Sequence, residues 1–108
     1  MSTHLHLIVD GEALPTPALS MADGAARSLS TTMRALGADL PTDAVPRVIG
    51  VEQCAAIAAA VSRAGLREID AAMASGFPDQ PLASVSLFFD DVMKVVAAAR
   101  SADGMEVR

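Results

Sequence analysis

Apolar and polar residues alternate along Thr3–Val9 (T-H-L-H-L-I-V). As a strand, this segment places Leu5, Leu7 and Val9 on one face and His4, His6 and Ile8 on the other. The dipeptide Asp10-Gly11 follows at once and predicts a tight hairpin turn. Glu12–Leu14 then reads as a short returning strand, and Pro15 and Pro17 are expected to stop the ladder because neither can donate a backbone hydrogen bond.

The period then changes to that of a helix. Ser20 and Asp23 stand at capping-box spacing, and Ala22, Ala26, Leu29, Met33 and Leu36 recur at steps of three and four up to Gly37. Ala38–Arg47 carries Pro41 and Pro46 and reads as a connecting loop. A second helix is predicted over Gly50–Ala64, with Val51, Cys54, Ala58 and Val61 in one stripe, Ile57 widening it and Gly65 as its stop. Leu66–Ser75 forms a shorter third helix with Leu66, Ile69 and Met73 inward, ended by Gly76. After the proline-bounded loop Phe77–Pro81, a fourth helix runs from about Leu82 to Ala102. It carries Val85, Phe88, Phe89, Val92, Val96 and Ala99 inward and Asp90, Asp91 and Lys94 mostly away from them. Met105–Arg108 alternates like a strand and can pair with the N-terminal one. The expected fold is therefore α+β: an N-terminal β-hairpin, about four helices and a short C-terminal strand, in a single small domain over residues 1–108. A lone hairpin is not stable in water, so helices should cover one face of the small sheet.

Composition narrows the partners more than it names them. Of 108 residues, 22 are Ala, so the mean hydropathy of +0.39 reflects alanine-rich helices rather than a membrane span. The longest uncharged runs reach ten residues (Gln53–Ser62 is one), against the roughly 20 a bilayer requires. No basic N-terminal region or cleavage site suggests secretion, and a lone cysteine forms no internal disulfide, so cytoplasmic residence is expected. Eight basic residues against thirteen acidic give a net charge of −5. The basic residues are spread singly, and Trp and Tyr are absent, so neither a phosphate-binding stripe nor a stacking platform for nucleic acid is expected. An acidic surface is instead suited to a protein partner with a basic patch.

The candidate chemistry is sparse. His4 and His6 leave the same face of a strand and make half of a tetrahedral metal site, to which Asp10 or Glu12 could add a carboxylate. Without a third His or a paired Cys, the simpler reading puts both on the solvent side of an edge hairpin. Cys54 lies one turn inside a helix N-terminus, which lowers a thiol pKa, yet it also falls on the inward stripe, where a cysteine acts as a small hydrophobe. No G-x-S-x-G elbow, P-loop or dinucleotide fingerprint occurs, and no cofactor is expected. Asp90 and Asp91 point about 100° apart on a helix and so do not form a catalytic dyad; Asp90 and Lys94 have the spacing of a supporting ion pair. The surface offers more: Leu87 faces outward on the fourth helix, while Met21 and Phe77 lie where they can be exposed, unless Phe77 plugs the space between the third and fourth helices.

The hydrophobic spacing from Arg47 to Arg108 resembles the C-terminal half of the YfbM-like bacterial family of unknown function. The matching pieces are Ala55–Val61 (A-A-I-A-A-A-V), Met73 leading into Phe77-Pro78, and a long helix running into a final strand. The first 46 residues depart from that family, and the resemblance implies no catalytic residue. The leading expectation is a non-catalytic, acidic protein-binding domain of the inhibitor, immunity or phage anti-defence type, contacting its target through Phe77, Leu87, Asp90 and Asp91. The alternatives are a self-associating accessory domain, dimerising through the fourth helix and Leu87, and a metal-dependent activity at His4 and His6.

Overall fold

The computed structural model describes residues 1–108. Its elements run β1 (Ser2–Val9), β2 (Glu12–Ala13), β3 (Leu19–Ala22), α1 (Asp23–Ala35), β4 (Arg47–Ile49), α2 (Val51–Arg63), α3 (Leu66–Gly76), α4 (Leu82–Ser101) and β5 (Met105–Val107). The α+β class, the four helices and the pairing of the C-terminal strand with β1 agree with the pattern read from the chain.

The hairpin forms because Asp10 and Gly11 both take positive φ (54° and 80°), the two-residue geometry that matches strand twist. The return strand then goes further than the prolines suggest. β2 pairs with Ile8 and Val9, the chain leaves the ladder at the prolines, and β3 rejoins β1 with Thr3 opposite Met21 and Leu5 opposite Leu19. Two bonds close the excursion, from Leu14 N–H to Leu7 O (2.8 Å) and from Ala18 N–H to Leu5 O (2.7 Å). Pro15 and Pro17 thus interrupt the ladder without ending it. On its other edge β1 pairs with β5, and β4 adds beyond β5, all antiparallel. Strand β1 is therefore central in the sheet.

Three local expectations are corrected by this sheet. Ser20 does not cap α1; it lies in β3, and the helix starts at Asp23 behind Ala22 with no side-chain cap. The cross-strand bonds gained by Leu19–Ala22 outweigh a cap worth about 1 kcal/mol. Arg47–Ile49, read as the end of a loop and its approach to a helix, becomes β4 because β5 offers a free edge there. Met21 is 6% exposed, drawn into the core by its place opposite Thr3.

All four helices contribute to one buried cluster of 21 residues with Leu5, Met21, Ile49, Met105 and Val107 of the sheet. Helix α2 packs on α4 and α1 on α3. The α1–α3 approach is close at Gly76, where a Cβ would collide with the Thr32 hydroxyl and stand 2.7 Å from Ser28 O. No helix is long and apolar enough to cross a membrane.

Candidate functional site

That approach sets the position of the next segment. Because Gly76 seats the end of α3 against α1, the residues after it cross the first turns of α1 and run straight into α4. They leave a cleft of about 500 Å³ between the three. Phe77 and Phe88 stand together there, with ring centroids 5.9 Å apart at 74°, the edge-to-face arrangement that aromatic quadrupoles favour. Ala25 and Val85 extend the apolar lining, and Ser28, Ser84, Asp79 and Gln80 supply polar groups. A volume of this size with apolar walls and a few polar groups is typical of a site that takes a ligand group or a partner's side chain.

Phe77 is 9% exposed and belongs to the core, so it plugs the helix junction and contributes to the cleft wall rather than projecting from a loop. Leu87, by contrast, is 70% exposed, and Asp90 and Asp91 beside it are exposed as well. All three lie away from the buried stripe Val85, Phe89, Val92, Val96 and Ala99. Leu87 follows Ser84 by three residues, and Asp91 follows Phe88 by three. Each step turns about 60° around the axis, so the outer face of α4 continues directly from the cleft. Ion pairs in the fold join Arg34 to Asp43 and Arg108 to Glu106. Lys94 does not close on Asp90, so Asp90 and Asp91 are free of ion pairs next to Leu87, with Asp79 at the cleft.

The two apolar residues should respond in opposite ways to substitution. Phe77→Ala is expected to cost about 3 kcal/mol of folding stability, since it empties a packed junction. Leu87→Glu should stay within about 0.5 kcal/mol of the parent because its side chain is solvated. Urea unfolding of both variants checks this.

His4 and His6 occupy the sheet face turned away from the helices, with ring centroids 6.3 Å apart. His6 is only 6% exposed, because β1 is central and its ring bonds through Nδ1 to Leu14 O at 2.7 Å. The edge-hairpin expectation fails for that reason. His4 Nδ1 meets Ser20 Oγ at 2.7 Å. The fold gathers no group of three His, Cys, Asp or Glu side chains suited to a metal, so neither Asp10 nor Glu12 completes a site with them.

Cys54 is buried in α2, and burial pushes its thiol pKa above the ordinary value. The neutral thiol is the form the fold favours, so the helix N-terminus does not make it a nucleophile. Native protein should resist iodoacetamide and react once unfolded. The sign of the pH effect follows: above the ordinary thiol range of about 8.5 the unfolded chain loses its proton first, so this group's contribution to stability falls as pH rises. Alkaline melts of Cys54→Ala against the parent measure it.

The pattern of the chain marked Leu87, Asp90 and Asp91 but not Phe88, Ser28 or Asp79 as surface or cleft residues. The usable signal was Gly76 directly before Phe77-Pro78, a small residue where two helices must touch.

Compared with known proteins, the chain matches no family model, no curated protein and no solved structure. No family model supports the resemblance of residues 47–108 to the YfbM-like family, and no residue role is carried over from it.

Proposed function

We propose that this chain is a non-catalytic protein-binding domain of the inhibitor, immunity or anti-defence type. It acts in the cytoplasm by masking a basic surface on a target protein. The observation that carries the reading is the continuity of the cleft with the outer face of α4: an apolar recess beside Phe88, a highly exposed Leu87, and three carboxylates, Asp79, Asp90 and Asp91, around them.

Each part has a physical role in such a contact. Binding energy at protein interfaces concentrates in a few apolar anchors seated in pockets, surrounded by contacts that exclude water. Here the cleft receives an apolar side chain of the target, and Leu87 is the anchor offered in return. The carboxylates contribute mainly to encounter rate and orientation, through attraction that salt screens over about 8–10 Å. The net charge of −5 acts in the same direction over the whole molecule.

Affinity capture of the tagged chain from its native lysate, at low and at high salt, tests the reading. A stoichiometric partner released at high salt is the expected result. Recovery of the bait with untagged copies of itself, together with a doubled molar mass in light scattering, would instead favour self-association through the same face.

A further inference from the structure

The sheet face opposite the helices carries a pair of imidazoles whose arrangement goes beyond what packing requires. His6 Nδ1 faces the carbonyl of Leu14 at 2.7 Å. A carbonyl only accepts, so Nδ1 carries a proton, and in the neutral ring the lone pair lies on Nε2. His4 Nδ1 is held by Ser20 Oγ at the same distance, an oxygen able to accept from it. Neither Nε2 has a protein partner, and since the fold leaves no buried side-chain nitrogen unpartnered, both Nε2 atoms reach the surface. In metal sites a ligating histidine characteristically donates its other ring N–H to a carbonyl or a second oxygen, which sets both tautomer and orientation. Both rings here have that support, on one face of one strand.

We propose that His4 and His6 form a two-imidazole site for a divalent late transition-metal ion, bound through both Nε2 atoms. Nitrogen–metal bonds of about 2.0 Å in a tetrahedral arrangement place two ring centroids roughly 5 Å apart. The observed separation is 6.3 Å, so the two rings turn toward each other when the ion binds. The sheet holds no third imidazole, thiol or carboxylate in position, and Glu106, directly across from His6, is engaged by Arg108. Water fills the remaining positions. Such a site follows the general order of affinities, binding Cu²⁺ more tightly than Zn²⁺. It is independent of the α4 surface, which lies across the molecule's helical layer.

The test uses the full chain with its N-terminus extended by a short Gly-Ser tail, so that the α-amine does not chelate. CuCl₂ and ZnCl₂ are titrated calorimetrically, and the histidine ring nitrogens are followed by ¹⁵N NMR during the ZnCl₂ titration. The expected result is one ion per chain, with the His4 and His6 Nε2 resonances shifting together. Affinity should drop roughly tenfold or more in His4→Ala and in His6→Gln. A shift confined to one ring, an affinity unchanged from the parent in either variant, or no heat and no shift up to millimolar metal would each overturn the proposal. The NMR reading on the parent protein keeps the test decisive if His6→Gln fails to fold.

Discussion

Gly76→Ala is expected to lower folding stability by about 3 kcal/mol, the upper end for an overpacked site, with a fall in Tm on the order of 10 °C. A methyl group there meets the Thr32 hydroxyl and the backbone carbonyl of Ser28, and the carbonyl belongs to α1 and cannot rotate away. The helices must separate, and Phe77, the next residue, moves with α3. Gly24→Ala supplies the opposite control. A Cβ at Gly24 finds nothing nearer than Arg27 at 3.9 Å, and the backbone there is already helical. That change should raise stability by about 0.5 kcal/mol through the entropy of the unfolded chain. Thermal melts of the two variants therefore move in opposite directions, and equal shifts would mean that the α1–α3 contact is looser than described.

The second large effect is on binding. Asp90→Lys combined with Asp91→Lys turns attraction for a basic target into repulsion and should weaken the complex on the order of 100-fold, about 2.7 kcal/mol. Both residues are exposed and unpaired in the fold, so the melting temperature should barely move. Leu87→Glu removes the apolar anchor and should cost roughly 30-fold, chiefly in dissociation rate. The two kinds of variant are thus separable by surface plasmon resonance. The lysine pair slows association and reverses the salt dependence, whereas Leu87→Glu speeds release.

Much of the fold is legible in the chain because its strongest signals are local. The apolar stripe of α4 fixes that helix to within one residue at its end, and Asp10-Gly11 fixes the hairpin. What the pattern missed is non-local. Residues 19–22 and 47–49 are too short to declare themselves as strands, and each becomes one only because an edge of β1 or β5 stands opposite it. Ser20 shows the conflict most plainly, since the residue that would cap a helix is used instead to hold His4.

The candidate site divides along the same line. Helical spacing alone turns Leu87, Asp90 and Asp91 outward. The cleft arises from the meeting of α1 with the end of α3, and no repeat within the chain encodes that meeting. Phe77 is buried by it for the same reason.

The most direct measurement is amide and methyl chemical-shift mapping of the labelled chain, free and bound to the partner captured at low salt. Binding through the cleft and the outer face of α4 predicts the largest shifts at Asp79, Leu87, Phe88, Asp90 and Asp91. Shifts concentrated on the sheet face around His4 and Glu106, with α4 unchanged, would contradict it.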